Sequence, residues 1–560
     1  MYTKSVNILF GNPLLDRIGF FAKSRRWKLG KHFRSFAFLT LILGSFLIIT
    51  GLPVFAQSTA FKQAVAQAAA KDKDIAAFYQ ARDYKPIWTG NRDRKRRQAF
   101  IAAANKASDH GLPTGRYDAG QLKRDFRSAK SAKARGLLEV ETTKRFLQYA
   151  RDIQSGILEP RRIDKNMTLQ PPRRNRGSLL ASFSKGSPDA FFKSLPPKHP
   201  DYGRLLKEKN RMEKIVGRNG WGATVKARKL KPGQSGPAVA ALRRRLTAMG
   251  YGNLGSSTEY NASLVKAVQV FQVDHGLNAD GNAGGITLAA VNVSAKERLM
   301  QIVIGLERLR WLNKPLGKRH IMVNEADFKA TVFDNGKPTL ETRVVVGKAG
   351  RWRTPEFEDS MTHMVINPSW FIPGSIAGGE YLPLLKKNAN ALSRQGIEIR
   401  DTAGNRVNPM NIDFSKYSKN NFPFSMRQPP SNGNALGRVK FLFPNKHAIY
   451  LHDTPSKSLF GRDIRTFSHG CVRVQKPLEL AYTLLAKQSS NPKKLFDGLL
   501  AAGKEVRVNL KTPVPIYLVY RTAWVTAKGR PNYRADSYNV DKKVYSALKK
   551  AGVALRGAGS

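Results

Sequence analysis

Cysteine is almost missing from this chain. One residue in 560, Cys471, carries a thiol, so no internal disulfide can form and no cysteine-rich zinc framework can be assembled. Acidic residues are scarce too: 40 Asp and Glu stand against 96 Lys and Arg, a formal net charge of +56. So large an imbalance points to a polyanionic partner, whether nucleic acid, anionic lipid or an acidic cell-wall polymer, or else to a solvated surface. Apolar residues are not lacking. At 41% hydrophobic and 9% aromatic the composition excludes global disorder, and the length exceeds one ordinary core, implying two to four domains.

The N-terminus bears on compartment. Lys28, Lys31 and Arg34 precede SFAFLTLILGSFLIITGLPVFAQ, an apolar run beginning near Phe36. A basic flank, an apolar stretch and small residues up to Ala56 are the layout of a secretory signal cleaved after that residue. A run of about 20 residues also suffices to span a bilayer uncleaved, with the positive flank left in the cytoplasm. Residues 1–56 are therefore expected to be a signal peptide or an anchor in the inner membrane. In both cases the rest is exported, which removes nucleic acid as the natural partner. Exported chains usually pair their cysteines, so a lone thiol there needs burial or a chemical task.

Residues 57–227 read as a helical scaffold with a basic linker. AFKQAVAQAAAKDKDIAAFYQ and KRFLQYARDIQSGIL place apolar residues at helical spacing. Gly111, Pro113 and Gly115 interrupt the pattern, and QPPRRNRGSLL follows as linker. Residues 228–295 form a small helical unit, with Val239, Leu242, Leu246 and Met249 on one face and Leu264, Ala267, Val268 and Phe271 on another. A connecting helix is expected at 296–319. From 320 to 510 the texture becomes β, with alternation, β-branched residues and an Asn335-Gly336 hairpin turn. A long Asn-, Pro- and Gly-containing insertion at about 371–437 is expected to be a lid over a site. Residues 511–560 are a C-terminal extension. The expected class is multidomain α+β.

The stretch IYLHDTPSKSLFGRDIRTFSHGCVR surrounds Cys471 with two histidines, His452 and His469. A cysteine nucleophile must be a thiolate, yet a free thiol of pKa about 8.5 is only slightly ionised at neutral pH. A histidine in contact, oriented by a third group, remedies this by forming an ion pair with the sulfur. Gly470 permits a sharp turn in which the N–H groups of Gly470 and Cys471 point at a developing oxyanion. A zinc ligand set is a poor fit, since H-x-C and one more histidine leave the fourth position empty. An inert buried thiol would sit among apolar neighbours, and SHGCVR is polar.

The pattern H-D-x(14)-SHGCVR resembles the signature of the L,D-transpeptidases, the family with a YkuD-type catalytic domain. His452, Ser468, His469, Gly470, Cys471 and Arg473 occupy its positions. RWRTPEFEDSMTHMVINPSWFIPGSIA and RQPPSNGNALGRVKFLFPNKHAIYLHDTP extend the likeness to the large, lid-bearing periplasmic branch. KPGQSGPAV, VQVFQVDHGL and the following ADG turn resemble the peptidoglycan-binding type 1 domain, although Gly284-Gly285 stands where that family more often has Gly-Pro. The resemblance implies that Cys471 attacks the peptide bond after the third residue of a tetrapeptide stem, releasing D-alanine and leaving a thioester. An amine of a second stem then forms a 3→3 cross-link. It further implies His452 as base, with His469 as the alternative base, Gly470 and Cys471 as backbone oxyanion donors, and substrate contacts by Arg473, His469, Tyr450, Ser468 and Trp370, without metal or organic cofactor. The implied partner is the anionic stem peptide, to which the positive charge would hold the enzyme. Water, a free D-amino acid or an amine of an envelope protein are alternative acceptors. A wall-binding scaffold without catalysis is the remaining alternative.

Overall fold

The computed structural model describes residues 52–557, with side chains from residue 59. Most of the expected leader, 1–51, lies outside them. Among the described residues no helix is long and apolar enough to cross a membrane.

The N-terminal region is helical, and one buried carboxylate organises it. Ser131 caps the helix Ala132–Ser155 by accepting from Ala134 N–H. Two turns into that helix, Glu139 accepts the N–H groups of Ile87 (2.6 Å), Trp88 (3.1 Å) and Thr89 (2.8 Å) and the Tyr79 hydroxyl (2.8 Å). The segment KPIWTG thus folds around a side chain some 50 residues away. Burial pushes the Glu139 carboxyl up, against the hydrogen bonds that favour its charged form. Trp88, stacked at 4.8 Å on Phe183, fills the space beside it.

The next unit packs helices Pro237–Met249, Ala262–Asp274 and Gly285–Asn292. Val239, Leu242, Leu246, Leu264, Val268 and Phe271 form its own core, as the spacing predicts. Gln272 donates to Asp280 (2.8 Å) and to Asn282 C=O (2.9 Å), which fixes the turn that follows. The unit is docked, not tethered. Arg530 holds Asp274 at 2.8 Å, and Asn278 N–H donates to Asp463 at 2.8 Å.

The β-rich region has fourteen strands among the described residues: β1 Arg319–Asn324, β2 Lys329–Asp334, β3 Lys337–Gly347, β4 Phe357–Ile366, β5 Trp370–Phe371, β6 Glu398–Arg400, β7 Ser425–Gln428, β8 Val439–Leu442, β9 Leu451–His452, β10 Thr466–Ser468, β11 Val472–Val474, β12 Val506–Val519, β13 Ala523–Val525 and β14 Pro531–Tyr533. The main sheet runs β10-β3-β11-β9-β8-β4-β12-β1-β2, and a β2–β3 pairing closes it on itself. The expected boundary at 510 falls inside β12. Pro513 is accommodated because the register with β4 shifts between Asn509 and Val514, so KTPVP does not end the strand.

The expected lid is a folded piece with a core of its own. Strands β5, β7 and β6 form a separate sheet, and Ile372, Ile376, Leu382, Leu385, Phe414 and Met426 are buried together beneath it.

Candidate active site

Four candidate side chains meet on one face of a two-strand ladder. Strands β9 and β11 pair in parallel, with Leu451 opposite Val472 and His452 opposite Arg473. Leu451 and Val472 are fully buried on the core side. Alternation therefore turns Tyr450, His452, Cys471 and Arg473 to the other face. The Tyr450 and His452 rings lie 5.6 Å apart.

His452 is buried, and its Nδ1 donates to Asp453 C=O at 2.5 Å. A carbonyl only accepts, so the proton sits on Nδ1 and the lone pair on Nε2. The group that orients the base is thus a backbone carbonyl. The Asp453 carboxylate is occupied elsewhere, accepting from Thr454 N–H (2.7 Å) and Arg438 N–H (2.9 Å). Burial, reinforced by the Arg473 charge, pushes the imidazole down to about 3. Burial also pushes the Cys471 thiol up to about 11, against the opposing pull of Tyr450 and Arg473. Desolvation thus works against both members of the ion pair expected from the motif, favouring the neutral thiol and the neutral imidazole.

The half-buried thiol donates to Ala448 C=O at 3.7 Å. Ala448 has φ 53°, a left-handed conformation costing roughly 1–2 kcal/mol for an L-residue. The Asn445 carboxamide holds it there. It accepts from His447 N–H (3.0 Å) and Ile449 N–H (3.2 Å) and donates to Phe443 and Ile449 C=O (2.6 and 2.8 Å).

Arg473 is half-buried with its Nε unpartnered, and burial lowers its basicity. His469 points elsewhere: its Nε2 lies 2.7 Å from Glu380 of the lid, and its ring meets Trp352 edge-on at 4.8 Å. Trp370 is half-buried at the lid root, edge-on to Tyr381 at 6.4 Å.

Two expectations are corrected. Ser468, expected to touch substrate, is 2% exposed and spends its hydroxyl on its own turn, donating to Cys471 C=O at 2.5 Å. The same oxygen accepts Gly470 N–H at 3.2 Å, so that N–H, expected in the oxyanion hole, is already engaged. Glu380, Trp352 and Thr354 went unnoticed in the sequence because their partners lie more than 80 residues away. Thr354, within the RWRTPEF stretch, donates to Gly470 C=O at 2.7 Å. Among the described residues no cluster of three or more His, Cys, Asp or Glu is placed to hold a metal ion.

Comparison with known proteins identifies the region. Residues 318–516 match the family described as "L,D-transpeptidase catalytic domain" (YkuD). Residues 318–516 are a YkuD-type L,D-transpeptidase catalytic domain, that of an enzyme class. Residues 235–291 match a "Putative peptidoglycan binding domain" and residues 73–208 a "Scaffold domain". A Haemophilus influenzae protein named "Putative L,D-transpeptidase" is 34% identical over 244 residues, which is 44% of this chain and 48% of that relative. The chain thus spans about half the length of the curated relative it matches. Two solved L,D-transpeptidases align more loosely. The one from Xylanimonas cellulosilytica is 15% identical over 52% of this chain and 98% of its own, with a TM-score of 0.17. The one from Stackebrandtia nassauensis is 14% identical over 53% and 96%, with a TM-score of 0.21.

Proposed function

We propose that the protein is an exported L,D-transpeptidase that works on peptidoglycan stem peptides in the periplasm through a Cys471 thioester. The observation that supports this reading is the shared face of β9 and β11: His452 stands opposite Arg473, the chain's lone thiol lies two residues before that arginine on the same face, and the His452 Nδ1 bond to a carbonyl leaves the lone pair on Nε2. As the sulfur attacks the carbonyl after the third stem residue, His452 Nε2 takes the thiol proton. It then delivers that proton to the departing D-alanine amine, so that a C–N bond is exchanged for a C–S bond. In the second half-reaction the same nitrogen takes a proton from the acceptor amine and returns it to the leaving thiolate. A diaminopimelate amine as acceptor yields the 3→3 cross-link. Because both groups start neutral, the proton moves as the bond forms and no thiolate stands ready beforehand.

Arg473 binds a stem carboxylate, which a planar guanidinium takes through paired hydrogen bonds. The module at 235–291 and the net charge of +56 keep the enzyme on an anionic wall. Intact-mass spectrometry on mixing with disaccharide-tetrapeptide tests the chemistry. The wild type should gain a transient adduct of the tripeptide acyl group, absent in Cys471→Ala, and His452→Ala should slow its formation by several orders of magnitude. Turnover persisting in Cys471→Ala contradicts the proposal.

A further inference from the structure

We infer that Thr354 and Tyr538 are positioning residues that leave the Cys471 N–H free as the oxyanion donor; the inference rests on the acyl-transfer reading above. Strands β3 and β11 pair in an antiparallel ladder. Arg473 stands opposite Val345, Val474 opposite Val344, and Gln475 N–H donates to Arg343 C=O at 3.0 Å. Bonded pairs recur every second residue in an antiparallel ladder. Continued toward its start, this one would set Cys471 against Gly347 and close two bonds between them, consuming the N–H of both.

Neither bond is made, because three hydroxyls divert three of the four groups. Gly347 N–H donates to Thr354 Oγ1 at 2.9 Å. Gly347 C=O accepts from the Tyr538 hydroxyl at 2.6 Å. Cys471 C=O accepts from Ser468 Oγ at 2.5 Å. Among the described residues the fourth group, Cys471 N–H, has no partner. A backbone donor left over beside a nucleophile is the group an oxyanion would meet.

Thr354 also aims that donor. Its hydroxyl, fully buried, donates to Gly470 C=O at 2.7 Å. The Gly470–Cys471 peptide is planar and trans, so its C=O and N–H point in opposite directions. Pinning the carbonyl inward turns the N–H outward. Gly470 can present this geometry because its φ is 119°. Gly347 admits no side chain, since a Cβ there would lie 1.9 Å from Trp352 C=O. Tyr538 comes from the C-terminal extension, so that extension completes the catalytic turn.

The test separates a reaction that builds an oxyanion from one that does not. Acylation of Cys471 by p-nitrophenyl acetate passes through a tetrahedral oxyanion, whereas alkylation by iodoacetamide displaces iodide and forms none. Both are followed at pH 9 on the full chain. Thr354→Val should lower the acylation rate by about 10²-fold, the scale of one lost oxyanion donor. Alkylation should change by less than about threefold, and Thr354→Ser should restore acylation. Tyr538→Phe frees Gly347 C=O to capture Cys471 N–H and should lower acylation by about tenfold with alkylation unchanged. Acylation at the wild-type rate in Thr354→Val, or both reactions falling by the same factor, overturns the inference. If Thr354→Val does not fold, Tyr538→Phe decides alone: an unchanged ratio of the two rates overturns it. The probe needs no stem peptide, so absence of a cross-linked product with these ratios intact refutes the substrate reading and leaves this inference standing.

Discussion

Desolvation governs the chemistry of Cys471 and His452. Burial moves the thiol up to about 11 and the imidazole down to about 3, so their protonation states at neutral pH are SH and neutral ring. Only the thiolate is alkylated, and its fraction rises tenfold per pH unit below the thiol pKa. The rate of iodoacetamide alkylation should therefore climb steadily from pH 7 towards about 11. A plateau already reached near neutrality would show that the ion pair exists after all. Linkage runs in a definite direction for His452. An unfolded chain takes up a proton near pH 6.5 that the folded site refuses, so its contribution to stability is full above 6.5 and is lost as the pH falls towards about 3. The identities of Cys471, His452 and Arg473 were legible in the sequence because a short motif contains them. The orienting group of His452 was not, since a backbone carbonyl leaves no trace in residue types. Ser468 was misread for a related reason: a hydroxyl beside a nucleophile looks like a substrate contact until its buried bonds to the turn are seen.

The 371–437 segment has a core of its own and reaches the turn that bears Cys471 through Glu380. Spacing and composition read 371–437 as a long loop, because its strands are two to four residues long and its glycines and prolines mask any period. Its apolar residues nonetheless close a core, into which Trp352 and Trp370 pack. One polar contact ties this element to the catalytic turn, His469 Nε2 to Glu380 at 2.7 Å. His469 is 25% and Glu380 36% exposed in their side chains, so solvent weakens the pair and it suits a latch better than a weld. Glu380→Ala should open the lid more often and raise the alkylation rate of Cys471 severalfold, as followed by mass spectrometry. An unchanged rate would mean that the lid does not limit access. The expected boundary at 510 lies within β12, because a proline in a strand reads as a stop unless the bulge beside it is known.

The whole molecule is a scaffold region, a binding module and a catalytic sheet with extensive contacts among them. Composition and local periodicity made the three textures legible, yet they say nothing of docking, which rests on pairs far apart in the chain. Asp274 of the module meets Arg530 across 256 residues, and the Asp274 side chain is only 7% exposed. Removing the arginine leaves that carboxylate short of its partner, at a cost of about 1–3 kcal/mol. Arg530→Ala should lower stability towards urea by that amount, and a loss under about 0.5 kcal/mol would mean that the module is held by other contacts. A module fixed in this way keeps one orientation toward the site.

In the proposed reaction Cys471 transfers a stem-peptide acyl group to an amine. The most direct measurement is product analysis by mass spectrometry after the full chain is incubated with disaccharide-tetrapeptide, with Cys471→Ala alongside. The account predicts a cysteine-dependent dimer joined 3→3, formed with loss of one D-alanine. Unchanged tetrapeptide with the wild type, or the same dimer with Cys471→Ala, would contradict it.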